Sequence, residues 1–463
     1  TTASDEEVLM VVNFANKIVA ARGEKIFSSA TNSLTLAIAQ GTTMTGSGTI
    51  TVDSTSGFSS SGNLQIDSEQ FTYTGVTSTT FTGVTRAVSS TSAAAHTASS
   101  GASLTVVSES WTERDASRTN ATKYKFERFN FDGNDKLIVV DGVNDPTVFN
   151  TSMSATDVTA SAVEGASIVA AYREHMFYAG MSSTPQELVF SVPFDEDNFT
   201  GGSGAGSIKV DDTIVGIKVF RENLFIFCEN RIFKLTGSTS SDFAMAPVTR
   251  DIGCINGHTI QEFAGDLIFL GPDGLRTVAG TERIGDVELG TISSNVQSIF
   301  NENIIGAAAF ESVVIPNKTQ YRLFFSKQGG TESRTEGIAC VLKSQQGGNK
   351  GYEFSSLKGI KPACTDTFIT TGDVLVIHGG FDGYVYRQEE GSTFDGSAIN
   401  GRYRSPDLTM NDPGIRKHMQ RVIVNFKPES TIDADLFVRY DYESADAARP
   451  AAYPLDSTNI AGI

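Results

Sequence analysis

Residues 214–237 read IVGIKVFRENLFIFCENRIFKLTG, and this stretch decides the fold. Three short, largely apolar runs, Ile214–Phe220, Leu224–Cys228 and Ile232–Leu235, are separated by the polar turns Arg221–Asn223 and Glu229–Arg231. The central run is apolar at every position, which predicts a strand with both faces buried. Because a three-stranded meander does not bury both faces alone, the sequence predicts copies of it stacked on each side.

The same pattern recurs through residues 124–387: an apolar strand, a polar turn, an apolar run and often an Asp-Gly turn with a closing strand. The step between units is roughly 40 to 55 residues, close to the length of a propeller blade. A radial arrangement of such units leaves only short, protected sheet edges. We therefore predict that residues 108–394 form a β-propeller of about six blades. A two-sheet β-sandwich array is the alternative, which explains the strand content but not the steady step. The central strands begin near Leu137, Met176, Leu224, Leu267, Tyr321 and Val374.

The segments on either side of the repeats differ in composition. We expect residues 1–45 to belong to a platform β-domain that flanks the propeller. We expect residues 395–463 to form a C-terminal β-domain that pairs with this N-terminal segment, with a hairpin over 422–426 and 434–440. Ser, Thr, Gly and Ala dominate residues 46–107, which predict a small inserted β-module. Its strand signals are residues 49–52, 64–66, 70–74 and 80–82.

One stretch inside the repeats has helical rather than strand spacing. Its apolar positions are Val296, Ile299 and Phe300, followed by Ile304. With Ser293 or Ser294 as the capping residue, this spacing predicts one helix packed on the array.

Charge and composition limit the possible functions. The 463 residues carry a formal net charge of −18, whereas a protein that grips nucleic acid through its phosphates needs a basic face. A short basic cluster occurs at Arg416, Lys417, His418 and Arg421. No apolar run approaches the ~18 residues that span a bilayer, so we expect no membrane span, and residues 1–30 lack the pattern of a signal peptide. Four cysteines without C-x-x-C spacing predict free thiols made in a reducing cytosol.

The sequence offers no catalytic signature. The five histidines have no H-x-x-H or H-E-x-x-H partner, and G-x-S-x-G does not occur. The glycine-rich run Gly201–Gly206 lacks a following Lys-Ser/Thr, so we expect a flexible loop. Asp195–Asp197 could bind Ca²⁺, but without EF-hand spacing a solvated loop is the better interpretation. We therefore predict a protein that is not an enzyme, without catalytic, cofactor or metal sites, although carboxylates converging on a propeller axis stay open.

Taken together, several stretches resemble a known family. They are residues 214–237, Ser241–Ala244, Thr249–Cys254, Gly265–Arg276 and Asp382–Tyr386. Over roughly residues 125–440 the chain resembles the β-propeller tail nozzle (tail tubular protein B) of short-tailed bacteriophages. The chain is short for a nozzle protein, so we expect some of the family's distal domains to be missing or simplified.

The resemblance implies a structural protein of the virion tail, made in the host bacterial cytoplasm. It implies a homohexameric ring below the portal and adaptor proteins, with tail fibres attached at its side. The ring encloses the channel through which genomic DNA leaves without specific binding. An acidic lumen fits this role because it repels phosphates. The cluster at residues 416–421 would pair with an acidic neighbouring subunit, or else form an exposed basic hairpin.

Two other functions stay open at this point. The first is a receptor-binding or adhesin tail protein, in which the module at 46–107 is the contact surface. The second is a propeller enzyme that degrades glycans, which would need carboxylates on the axis.

Overall fold

The chain is described by a computed structural model that divides it into two compact units, Thr1–Ala398 and Ile399–Ile463. The division lies close to the boundary predicted at residue 394. The described residues are 7–32, 48–52, 54–55, 58, 60–66, 69–88, 91–96, 106–119, 123–278, 291–301, 307, 309–326, 336–344, 350–370, 373–389, 393–394, 397–405, 407–412, 414–425, 433–443 and 450–455.

The described part of the first unit is mainly β and antiparallel, as the sequence predicted. Sheet 1 contains β1 (Val8–Phe14), β2 (Lys17–Arg22), β3 (Lys25–Asn32) and β10 (Val106–Asp115). The segment between β3 and β10 supplies β4 (Ile50–Thr51), β5 (Gly62–Ile66), β6 (Glu69–Tyr73), β7 (Gly75–Val76), β8 (Thr80–Thr82) and β9 (Thr85–Arg86). Strands β5, β6 and β9 extend sheet 1 beyond β10, while β4, β8 and β7 pair separately.

Six further sheets follow along the chain. Sheet 2 is β11 (Lys125–Asn130), β12 (Asp135–Val140), β13 (Thr147–Asn150) and β14 (Ala155–Asp157). Sheet 3 is β15 (Ile168–Tyr172), β16 (His175–Ala179), β17 (Glu187–Phe190) and β18 (Gly206–Lys209). Sheet 4 is β19 (Ile214–Phe220), β20 (Asn223–Cys228), β21 (Ile232–Thr236) and β22 (Ala244–Thr249). Sheet 5 is β23 (Gln261–Phe263), β24 (Asp266–Gly271) and β25 (Gly274–Thr277). Sheet 6 is β26 (Phe310–Ile315), β27 (Gln320–Phe325), β28 (Glu336–Ser344) and β29 (Lys350–Lys358). Sheet 7 is β30 (Pro362–Thr370), β31 (Asp373–Gly380) and β32 (Val385–Gln388), followed by the pair β33 (Thr393–Phe394) and β34 (Ser397–Ala398).

Residues 214–237 form β19, β20 and β21, with the predicted turns between them. Phe220 pairs with Asn223, so Arg221 and Glu222 form a two-residue hairpin turn. Both have positive φ, 45° and 65°, the conformation whose twist matches that of the flanking strands. In β20 the residues Leu224–Cys228 are all buried, which confirms the interpretation of that run.

Neighbouring sheets pack face to face through apolar clusters, and the last sheet packs on the first. Seven clusters make these contacts. Representative pairs are Met10 with Val139 (sheets 1 and 2), Ile138 with Tyr178 (2 and 3), Phe177 with Leu224 (3 and 4), Phe227 with Phe269 (4 and 5), Leu270 with Leu323 (5 and 6), Val313 with Val376 (6 and 7) and Ile377 with Val11 (7 and 1). The seven sheets therefore form a closed cycle.

Sheet 1 differs from the expectation that residues 1–45 belong to a flanking platform domain. Its first two strands are apolar on both faces: Val8 and Val11 pack toward sheet 7, while Met10 and Val12 pack toward sheet 2. A strand of this kind needs cover on both sides, and the gap between sheets 7 and 2 supplies it. The described strand partners of residues 8–32 lie within this segment and in β10, rather than in residues 395–463.

The segment between β3 and β10 has its own small core. Phe71, Tyr73 and Phe81 are buried together, on the strands that alternation predicted. Glu69 is fully buried beside Arg86, with 2.6 Å between Oε2 and Nη2, and His96 Nε2 lies 2.9 Å from the same oxygen. Burial alone would raise the pKa of Glu69, but hydrogen bonds from Arg86, Ala94 and His96 outweigh it and lower the pKa to about 2.

The helix predicted over residues 292–300 is shorter than expected. A 3₁₀ turn, Ser294–Val296, leads into one helical turn, Gln297–Ile299, and Phe300 is buried in the cluster between sheets 5 and 6. Ser293 Oγ accepts a hydrogen bond from Leu275 N at 3.1 Å instead of capping the helix. Ile304 lies outside the described residues. The other 3₁₀ turns among the described residues are Gly201–Ser203, Gly257–Thr259, Pro316–Lys318 and Asp441–Glu443.

The second unit has little regular structure in its described part. Strand β35 (Asp435–Leu436) pairs with β36 (Tyr453–Pro454). The prediction that residues 434–440 pair with residues 422–426 in a hairpin is therefore wrong. Residues 422–425 form no strand, and residue 426 lies outside the described part. Strands need a partner and a buried face, and no other described residue of this unit pairs with 422–425.

Candidate functional site

A cavity of about 880 Å³, called here the central cavity, lies in the middle of the cycle. The first strand of every sheet contributes to its wall, namely β1, β11, β15, β19, β23, β26 and β30. The turn Gly257–Thr259 adds Gly257 and His258. Since every sheet presents its first strand to the same space, residues far apart in sequence meet there.

Charged residues line one part of this wall. Lys125, Glu127 and Arg128 come from β11, and Lys123 lies just before that strand. Lys218 interrupts the apolar run of β19. Each of these residues is on a first strand or next to one, so the folding of sheets 2 and 4 places their side chains at the cavity wall.

Glu311 anchors one ion pair. Its carboxylate pairs with Lys123 and accepts hydrogen bonds from Thr365, at 3.0 Å from N and 2.6 Å from Oγ1. His258 Nδ1 lies 3.8 Å from Glu311 Oε2. The buried carboxylate thereby joins sheets 6 and 7 to the segment that enters sheet 2.

Asp366 anchors a second ion pair, with Arg128. Asn13 N donates to Asp366 Oδ2 at 2.9 Å, and Arg128 Nε donates to Asn13 O at 2.7 Å. Burial raises the pKa of Asp366 to about 6, although the Arg128 charge opposes the rise. These contacts connect sheets 7, 1 and 2 at the point where the cycle closes.

Lys125 and Lys218 differ from Lys123 and Arg128. Among the residues that the structure describes, neither has an ion-pair partner or side-chain hydrogen bond. Burial lowers the pKa of Lys125 to about 8, and the charges of Lys123 and Lys218 act in the same direction. The cavity wall therefore holds two ammonium groups without a neutralising partner in contact.

Glu127 forms no ion pair with Lys125 or Lys218 in the described part of the chain. Burial raises the pKa of its carboxyl group, while Lys218 and Arg128 oppose that rise. Its carboxylate accepts a hydrogen bond from the backbone of Ala171. Glu127 is thus held on the sheet 3 side.

Gly257 allows the turn Gly257–Thr259 to lie close to Lys125. A Cβ atom at this position would lie 2.0 Å from Val215 O and 2.7 Å from Lys125 Nζ. A side chain at residue 257 would therefore clash with the backbone of sheet 4 and also crowd the Lys125 ammonium group.

The residues considered in the sequence analysis are dispersed. His258 lines the cavity, whereas His175 Nδ1 bonds Ser191 O at 2.6 Å and His378 stacks on Tyr386 with ring centroids 5.0 Å apart. His418 is exposed. The four cysteines are free thiols, as predicted, and all four are buried.

The loops that were considered for ligand binding have other partners. Glu196, in the acidic run at 195–197, pairs with Lys136 at 2.6 Å. Residues 201–203 form a 3₁₀ turn. Over the described ranges, no group of three or more His, Cys, Asp or Glu residues is arranged to hold a metal ion.

Sequence reasoning missed most of the central cavity. In the sequence Lys218 interrupts an apolar run, but Lys125, Glu127, Glu311 and Asp366 have no recognisable spacing. The sequence left open carboxylates converging on the axis without naming any; two that line the cavity, Glu311 and Asp366, are each paired with a basic side chain.

Comparisons with known proteins do not identify a family. No protein-family model matches the sequence, and no curated protein matches it. Among solved structures, the chain is similar to the extracellular domain of a hybrid two-component system from B. thetaiotaomicron, with a TM-score of 0.40 and 8% identity, over 85% of this chain and 39% of that one. It is also similar to the N-terminal domain of Nup159, with a TM-score of 0.35 and 10% identity, over 57% and 74% of the two chains. For Hsv2 of Kluyveromyces lactis the TM-score is 0.33 and the identity 7%, over 76% and 99%. In the described part of the chain, no helix has the length and apolar character needed to cross a membrane.

Proposed function

We propose that the cycle of sheets is a β-propeller with seven blades, one more than the sequence pattern predicted, and that the chain is a structural protein of a bacteriophage tail. Several copies, six by the resemblance, form a ring around the channel through which DNA leaves the virion. The ring contacts the portal and adaptor proteins and carries tail fibres at its side.

The observation that carries this proposal is the apolar surface of the second unit. Leu408 is 67% exposed, Ile423 is 69% exposed and Phe437 is 59% exposed. Large exposed apolar patches typically mark protein interfaces. Basic residues 416, 417 and 421 lie in the same stretch, and their charge is opposite to the net charge of −18. Contact with an acidic copy of the same chain would bring the two signs together.

The size of the central cavity supports a channel formed by several copies. About 880 Å³ is the volume of a small-molecule site, and a DNA duplex does not fit in it. In this proposal DNA therefore passes between subunits, along their acidic surfaces, where repulsion of phosphates prevents arrest.

The test is the mass of the assembly, measured by light scattering on the purified protein and on disrupted virions. A chain of 49.4 kDa gives a six-fold ring of about 300 kDa. Ile423→Asp places a charge in the exposed apolar stretch and should shift the mass toward one chain. The control Lys209→Asp changes charge at a side chain that is 74% exposed in the first unit, and it should leave the ring intact. A single-chain mass for the unaltered protein in both settings would refute the proposal.

A receptor-binding role is the second candidate, favoured by the position of residues 48–96. Strand β10 runs beyond its partner β3 to pair with β5, so this small core is attached at the outer edge of sheet 1. Host-cell binding that is lost on Glu69→Gln, with the assembly mass unchanged, would support this role.

A further inference from the structure

We propose that the central cavity binds a small oxyanion, a phosphate or a carboxylate, between the ammonium groups of Lys125 and Lys218. This site is independent of the proposed role in a tail. It rests on the cavity, on the two lysines without partners in the described part of the chain, and on the pairing of Lys123 and Arg128 with Glu311 and Asp366.

The charges of the wall divide into satisfied and unsatisfied groups. Lys123 is neutralised by Glu311, and Arg128 by Asp366. Lys125 and Lys218 have no such contacts in the described part of the chain, and Lys218 is near enough for its charge to lower the pKa of Lys125. Two like charges held together in a recessed, partly apolar space repel each other more strongly than in water. An anion between them would reverse that repulsion.

The surroundings favour a small ligand. Val169 and Ile217 supply apolar wall beside the lysines, and the volume of about 880 Å³ lies within the ~300–1,000 Å³ of small-molecule sites. Ammonium groups act as compact point charges without the fork geometry of arginine. They therefore suit a tetrahedral phosphate and a planar carboxylate equally, and experiment has to separate the two.

The remaining carboxylates do not fill the site. Glu311 and Asp366 are held by hydrogen bonds on sheets 6 and 7, and Glu127 is held toward Ala171. Glu262 also lines the cavity, but it is exposed and forms no ion pair with either lysine among the described residues. A ligand with its own negative charge is the group that the two ammonium groups lack.

The experiment is calorimetric titration of the full-length protein with inorganic phosphate and, separately, with acetate, at pH 7 and fixed ionic strength. The variants are Lys125→Met and Lys218→Met, which keep the apolar stem and remove the charge. Lys209→Met, at an exposed position of sheet 3, is the matched control. We expect saturable binding of one of the two anions, which then assigns the source. Each cavity variant should weaken it about 10- to 100-fold, while the control should bind like the unaltered protein.

A second measurement locates the ligand. In protein with ¹³C- and ¹⁵N-labelled lysine, the resonance assigned through Lys125→Met should report a rise in the pKa of Lys125 when the anion is added, because a bound negative charge favours the ammonium form. The absence of saturable binding for both anions would overturn the proposal. Equal affinity in Lys125→Met, or an unchanged Lys125 resonance, would also overturn it. Because all variants should keep the assembly mass of the unaltered protein, this outcome is separate from the test of the tail proposal.

Discussion

Replacing Lys125 with methionine should make the protein more stable at neutral pH. Burial holds the pKa of Lys125 at about 8, below its ordinary value of 10.5. A tenfold difference in proton affinity corresponds to about 1.4 kcal/mol, so keeping this ammonium group charged costs the folded state roughly 3 kcal/mol at pH 7. Methionine keeps the unbranched stem and removes the charge. Allowing for solvent that enters the cavity, we expect a gain of about 1 to 3 kcal/mol in the free energy of unfolding.

The pH dependence gives the sharper test. Between pH 8 and pH 10.5 the unfolded chain holds a proton on Lys125 that the folded chain has released. The stability of the unaltered protein therefore rises with pH in this window. Lys125→Met lacks that rise, so its advantage should be full below pH 8 and should vanish above about pH 10.5.

Urea unfolding at a series of pH values measures both quantities, provided that phosphate and carboxylate buffers are left out. Lys209→Met is the control, because its side chain is 74% exposed and should change stability by less than about 0.5 kcal/mol. Destabilisation by Lys125→Met at pH 7, or an advantage that is constant from pH 7 to pH 10.5, would refute the account of a desolvated ammonium group in the cavity.

Three further predictions address closure of the cycle, the small core at residues 48–96 and buried titration. Gly379→Ala puts a Cβ atom 2.4 Å from Val8 Cγ1, where sheets 7 and 1 meet. Urea unfolding should show that it destabilises the first unit by about 1 to 3 kcal/mol. The control Gly201→Ala, whose Cβ would have no atom within 4 Å, should leave the stability unchanged. Glu69→Gln leaves Arg86 without its buried carboxylate. Hydrogen exchange should then show that the free energy of opening residues 69–88 is lower by roughly 3 kcal/mol. The unaltered protein should lose the same protection as pH falls from 4.5 to about 2, because the Glu69 carboxylate becomes protonated. Burial lowers the pKa of His378 from 6.5 to about 4, so the free energy of unfolding should fall by up to about 3 kcal/mol as pH drops through that range. His378→Gln should remove this part of the pH dependence. If the free energy of unfolding of the variant changes with pH as in the unaltered protein, His378 is not the source.

The sequence predicted local elements better than their global arrangement. The runs at residues 214–220 and 224–228 became adjacent strands because a buried strand leaves an unbroken apolar signature. The number of sheets was underestimated, since β3 and its sheet partner β10 are separated by the inserted core. Residues 8–22 therefore did not match the steady step of the other units, although their apolar faces already required neighbours on both sides.

The central cavity was beyond prediction for a different reason. A site built from the first strands of separate sheets brings Lys125, Lys218, Glu311 and Asp366 together only after the cycle has closed. In a site built on one helix or loop, the functional residues are separated by a fixed number of positions in the sequence. In the central cavity, the number of positions between the residues depends on the length of each unit, which varies. An interrupted apolar run such as that at Lys218 was the available signal, and it becomes informative only once the partner strands are known.

The two proposals place different demands on charge. In the central cavity, Lys123 and Arg128 are paired within the wall, and the lysines left over call for a small anion. The net charge of −18 consequently belongs to the rest of the chain, where it would face DNA in a ring. A DNA duplex does not fit in a cavity of about 880 Å³, so a duplex passing along that surface would not contact the cavity lysines. Loss of anion binding in Lys218→Met should therefore leave assembly mass and DNA ejection unchanged, and Ile423→Asp should disrupt assembly while leaving the anion affinity intact. If Lys218→Met instead impaired ejection, the cavity would contribute to the channel, and the separation of the cavity lysines from the surface that faces DNA would be wrong.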